Sequence, residues 1–94
     1  MAVYVVTWNL NDEKDDYDEA RDAFIAQLER YDNCRDLGLE SVRFISTSHN
    51  SSQVSEFLRR KLDTTDRLFV SKLHRGQYRG WLNKRVWDWI RARL

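Results

Sequence analysis

Val3-Tyr4-Val5-Val6-Thr7-Trp8 decides how the chain reads. All six residues are β-branched or aromatic, and polar alternation is nearly absent. That is the pattern of a central strand covered on both faces. Asn9-Leu10-Asn11-Asp12 ends it, because Asn and Asp bond their own backbone in turns.

Outward from this strand, the spacing predicts a helix from about Asp15 to Tyr31. Its first turn is acidic, which suits the positive end of a helix dipole. Tyr17, Ala20, Phe24, Leu28 and Tyr31 recur at helical spacing, with Ile25 adjacent. Asn33 to Gly38 reads as a polar loop. Ser41 to Thr47 reads as a second strand, with Val42, Phe44 and Ser46 on one face and Arg43 and Ile45 on the other. After the turn Ser48–Ser52, a helix with an ordinary Ser51 or Ser52 cap carries Val54, Phe57, Leu58 and Leu62. Arg67 to Leu73 is a third strand, with Leu68, Val70 and Lys72 alternating with Phe69, Ser71 and Leu73. His74 to Gly80 has no clear period. Trp81 to Leu94 is helical, with Leu82, Val86, Trp89, Ile90 and Leu94 on one face and Trp87 at its margin.

The order β-α-β-α-β-x-α implies an α+β sandwich. Residues 1–94 fit one domain, since a chain of 94 residues is too short to divide into two cores. The composition, 41% hydrophobic with twelve aromatics, excludes a disordered tail. So small a sheet leaves a face and edges needing cover, from the C-terminal helix or from a second subunit, and a homodimer is the natural remedy. No apolar run reaches the ~20 residues of a membrane span, and no membrane partner is expected. The N-terminal segment lacks the marks of a signal peptide, and Cys34 stands alone, so a cytoplasmic setting is expected.

Val3 to Leu10 resembles the opening strand of the ferredoxin-like superfamily that contains the small CRISPR adaptation subunit and virulence-associated protein D. Asp66-Arg67-Leu68-Phe69-Val70-Ser71-Lys72-Leu73 and Gly80-Trp81-Leu82 are most similar to the "SinR family" small proteins of that group. The resemblance spans residues 3–82. It implies a βαββαβ sheet with two helices on one face, to which the periodic segment Trp81 to Leu94 adds an extra C-terminal helix, together with a homodimer and contact with nucleic acid. It also implies metal-dependent nuclease activity for members whose first strand ends in Asp. Asn9 holds that position here, and a neutral amide lacks the charge that fixes a hard cation. Asn9, Asn11 and Asp12 are the candidates for an oxygen-ligand site, but an Asn-x-Asn-Asp stretch is a common turn, and that is the favoured account.

The net charge of +1 hides an asymmetry. Asp12 to Asp22 holds seven acids against Lys14 and Arg21, whereas Arg75 to Leu94 holds six bases against Asp88. The acidic run lacks the spaced ligands and glycine of a calcium loop and reads as a solvated helix start. His49 and His74 form no metal or nucleophile–base pattern. Cys34 has no basic helix start beside it in the sequence to activate it. Neither a catalytic residue nor a cofactor is expected.

His74-Arg75-Gly76-Gln77-Tyr78-Arg79-Gly80-Trp81 stands apart. Arginine holds phosphates in forked geometry, glycine lets backbone approach, and Tyr or Trp stacks on bases. Arg75, Tyr78, Arg79, Trp81, Lys84 and Arg85 are therefore the candidate contacts with DNA or RNA, and Arg91 and Arg93 extend the positive surface. Two bland accounts compete: the tryptophans finish a small core, and the cations favour a helix C-terminus. Three functions follow: a non-catalytic nucleic-acid-binding or adaptor module, a metal-dependent nuclease, or a protein–protein module of the toxin–antitoxin or phage type.

Overall fold

The β-branched residues of the opening strand sit in the middle of a four-stranded antiparallel sheet. In the computed structural model, which describes residues 1–94, β1 (Ala2–Asn9) is followed by α1 (Tyr17–Leu28), β2 (Asp32–Cys34) and β3 (Val42–Thr47). Then come α2 (Ser51–Arg59), β4 (Arg67–Lys72) and α3 (Lys84–Arg93). The strand order is β2-β3-β1-β4. β1 pairs with β3 (Val5 opposite Phe44) and with β4 (Val6 opposite Val70), and β2 pairs with β3 (Cys34 opposite Phe44). This is the ferredoxin-like α+β sandwich.

One expectation needs correcting. The residues alone announce three strands, but Asp32–Cys34, expected to follow the helix as the start of a polar loop, forms a fourth. α1 stops at Leu28, and the chain turns at once into the sheet edge.

Period-2 alternation sends β1 side chains to two different cores. Tyr4, Val6 and Leu10 join Phe24 and Leu28 of α1, Ile45 of β3, and Val54 and Leu58 of α2. Tyr17, Ala20, Ile25 and Tyr31 pack against this cluster, so the predicted stripe is the buried one. On the opposite face Cys34 and Phe44 meet Val86 and Ile90 of α3, flanked by Val5, Val42, Leu73, Tyr78 and Leu82. Of the two covers the sequence left open for this second face, α3 supplies one. β2 and β4 remain the sheet's edges.

Local chemistry sets the helix boundaries. α2 is capped by Asn50, not Ser51 or Ser52. Asn50 Oδ1 accepts from Gln53 N at 2.8 Å while Gln53 Oε1 accepts from Asn50 N at 2.8 Å, a full capping box. α3 begins three residues later than expected because Asn83 caps it, accepting from Arg85 N at 3.1 Å. Trp81 and Leu82 consequently lie before the helix. No helix is long and apolar enough to cross a membrane.

Candidate nucleic-acid interface

The segment joining β4 to α3 is shaped by a turn in which Gln77 N donates to His74 O at 3.0 Å and Gly76 adopts φ 76°. A side chain at that angle would be strained, so glycine is required by the backbone alone. Beyond the turn, Tyr78 is half-buried and stacks on Trp87 of α3, with centroids 6.1 Å apart and planes 19° apart. The Arg91 guanidinium lies 5.8 Å from the Trp87 ring centroid. Arg79 is exposed, its only hydrogen bond running to its neighbour's carbonyl, Tyr78 O, at 2.7 Å. Trp81 is 99% exposed.

Asp36, in the loop between β2 and β3, fixes the far end of this segment. Its carboxylate accepts from Asn83 N at 2.6 Å and from Gly38 N at 2.8 Å. Those two N–H groups hold the Asp36 carboxyl below the usual carboxylate range. The start of α3 and the β2–β3 loop are thereby tied together beside the aromatic segment.

The remaining cations differ in how far they are already engaged. Lys84 pairs with Asp88 at 2.8 Å, which keeps the Asp88 carboxyl below its ordinary range. Arg75 donates to the Leu94 carbonyl. Arg85 donates to Arg35 O at 3.2 Å and lies 3.9 Å from Cys34 Sγ. The fold thus brings Cys34, which is buried, beside the first turn of α3 through Arg85. Arg93 binds Asp32 at 2.7 Å and sits 4.1 Å over the Trp89 ring.

Two adjoining grooves, each of about 410 Å³, share the stretch Tyr78–Gly80 and Trp87 in their walls. One continues to Arg91, the other across the sheet face past Val42, Thr7 and Trp81. Neither wall contains a carboxylate. Of the six expected contact residues, Tyr78, Arg79 and Trp81 line these grooves, whereas Arg75, Lys84 and Arg85 do not. Trp87 escaped the sequence reading because its spacing marked it only as marginal to the helix face.

The second candidate group follows the C-terminal end of β1. Asn9 and Asp12 are exposed, and Asn11 Oδ1 accepts from Glu13 N at 3.0 Å, as an Asn turn does. No three His, Cys, Asp or Glu side chains converge there or elsewhere. Instead Asn11 N donates at 2.9 Å to Asp66, a buried carboxylate that also receives Lys14 Nζ at 2.6 Å and Asp63 N at 2.9 Å. Lys14 supplies the positive charge at this carboxylate. The sequence hid the pairing because Lys14 and Asp66 lie 52 residues apart.

His49 is likewise structural: its carbonyl accepts from Tyr4 Oη at 2.8 Å, and its Nδ1 lies 3.0 Å from Tyr31 Oη. No family model and no curated protein matches the chain.

Proposed function

We propose that the chain is a non-catalytic nucleic-acid-binding or adaptor module, related to the ferredoxin-like superfamily of the small CRISPR adaptation subunit and virulence-associated protein D. The carrying observation is Trp81, a tryptophan 99% exposed, two residues from the exposed Arg79, beside grooves without a carboxylate. Trp81 continues the mostly apolar wall of the groove over Val5, Val42 and Phe44, and a contiguous exposed patch of this kind supports contact with a partner. Arg79 supplies the charge that a phosphate backbone needs, and the glycine on either side of the Gln77–Arg79 stretch gives a backbone access. Arg75, Lys84 and Arg85 add a second rank of positive charge, each held by a solvent-accessible oxygen of Leu94, Asp88 or Arg35 that a phosphate can replace. The buried, unpaired Cys34 fits a cytoplasmic setting. A homodimer, joined through the free edges of β2 or β4, would double the positive surface.

Titration of fluorescein-labelled DNA and RNA oligonucleotides by anisotropy, from low to moderate salt, tests this reading. Neutralising roughly three phosphates per protomer gives a log–log salt slope of about −2 to −3. Arg79→Ala is expected to reduce that slope by about 1. Absence of binding at low salt with every oligonucleotide would overturn it.

A further inference from the structure

Twelve side chains in this protein are aromatic, and only two of them are exposed: Phe69, at 65%, and Trp81, at 99%. Both belong to the face of the sheet that carries α3. Leu68 and Val70 of β4 pack into the α1–α2 core, so alternation turns Phe69 to the other side. Thr7 stands directly opposite Phe69 across one strand pair and opposite Val42 across the other. Thr7 and Val42 in turn line the groove bounded by Trp81. The row Val42–Thr7–Phe69 therefore continues that groove to the edge of the sheet.

The charges on this face point one way. Its positions on β1, β3 and β4 are Val3, Val5, Thr7 and Asn9, then Val42, Phe44 and Ser46, then Arg67, Phe69 and Ser71. None is acidic, and Arg67, at the end beside Asn9, is exposed and donates only to the carbonyls of Thr64 at 3.3 Å and Asp66 at 3.0 Å, contacts that a phosphate would replace. On β2 the one acid of the same parity, Asp32, is already neutralised by Arg93. The open part of the face thus offers two aromatic rings, at the groove wall and at the strand edge, with an arginine beside each. Arg79 accompanies Trp81, and Arg67 is two residues from Phe69.

We infer that this open half of the sheet binds unpaired nucleic-acid strands, with bases stacking on Trp81 and Phe69 and phosphates held by Arg79 and Arg67. The inference rests on the nucleic-acid reading above and names its substrate class. A duplex keeps its base faces inside the stack, where two separated protein rings cannot reach them. A single strand can splay its bases onto aromatic platforms, each base–ring contact contributing ~1–3 kcal/mol. Because any base has a π-face, little sequence preference is expected.

The test compares a labelled 12-nucleotide single strand, as DNA and as RNA, with the corresponding duplex, using wild-type protein, Trp81→Ala, Phe69→Ala and Arg67→Ala. Circular dichroism checks folding, which neither exposed ring should affect. The single strand should bind at least tenfold tighter than the duplex. Trp81→Ala and Phe69→Ala should each weaken single-strand binding by roughly 5- to 100-fold, with duplex binding unchanged. Duplex binding equal to or tighter than single-strand binding, or aromatic variants that bind the strand like wild type, would overturn this inference while leaving a charge-driven nucleic-acid binder standing. Failure of wild-type protein to bind any oligonucleotide would overturn both.

Discussion

Lys14 Nζ lies 2.6 Å from Asp66 Oδ2, and the Asp66 side chain is wholly removed from solvent. This contact, with the N–H groups of Asn11 and Asp63 on the same carboxylate, joins the turn after β1 to the turn before β4. Asp66→Ala removes all three partners' acceptor and leaves two backbone donors to find water. Loss of charge-assisted bonds of this kind costs about 2–3 kcal/mol. For a domain of this size the melting temperature should fall by on the order of 10 °C, measured by circular dichroism. An unchanged melting temperature would mean that the contacts do not hold the turns together.

Acid should unfold the protein through the same corner. The Thr65 hydroxyl, the Thr65 N–H and Lys14 bring Asp63 down to about 2. Burial pushes Asp66 up, but Lys14 and the two N–H groups outweigh it and hold its carboxyl below the usual range. Between about pH 4 and 2 the unfolded chain then binds more protons than the folded one, so stability falls as pH falls. Denaturant melts from pH 7 to 2 should be flat down to about pH 4 and decline below it. Asp63→Asn should flatten the decline. Stability rising over that acid range would contradict the assignment.

Arg43 offers a different kind of test. It is 4% exposed, donates to Asn33 Oδ1 at 2.8 Å and reaches Glu29 at 3.4 Å, and its Nε has no partner. The charge is held in the sheet at a solvation cost, and both acceptors can turn to water. Arg43→Met should therefore be neutral within about 1 kcal/mol, because the aliphatic volume is kept. Arg43→Ala should cost about 2 kcal/mol through the space it opens. Equal losses for both substitutions, in chemical denaturation, would show that the charge itself is needed.

The capping box gives a smaller, cleaner signal. Asn50→Ala removes the acceptor for Gln53 N and should cost about 1 kcal/mol. Asn50→Asp, which keeps an acceptor at a helix start, should stay within about 0.5 kcal/mol of wild type. An Asn50→Asp loss as large as that of Asn50→Ala would show that the capping bond is not what matters there.

Truncating Ile90, fully packed beneath α3, should cost about 2–4 kcal/mol and show itself locally. Hydrogen exchange should accelerate across α3 while amides of α1 and β1 remain protected. Uniform loss of protection throughout the chain would instead make α3 an inseparable part of one cooperative unit.

Hydrophobic period made most of the fold legible. The unbroken β-branched run of β1, the alternation in β3 and β4 and the stripes of three helices all depend on burial, which leaves a periodic mark. β2 left none: Asp32, Asn33 and Cys34 are too few and too polar, and they pair because β3 offers an edge. The Asn50–Gln53 box is masked in the sequence by Ser51 and Ser52, which follow Asn50 and are equally good cap residues. At the candidate interface, the residue types named Tyr78, Arg79 and Trp81, but only the fold could separate cations already paired from Arg79. Phe69 looked like an ordinary strand residue. Its exposure depends on how much of the sheet α3 covers, a property of three-dimensional placement rather than of spacing.

The two hydrophobic clusters share no residue, with the β-sheet standing between them as a partition. Volume lost from one layer is therefore not transmitted to side chains of the other, and perturbations on opposite sides should sum with little cross-talk. Such a body can acquire substitutions on its α3 side, including new loop lengths between β4 and α3, while the α1–α2 side keeps the scaffold intact. The candidate interface is thus free to diversify at low risk to folding.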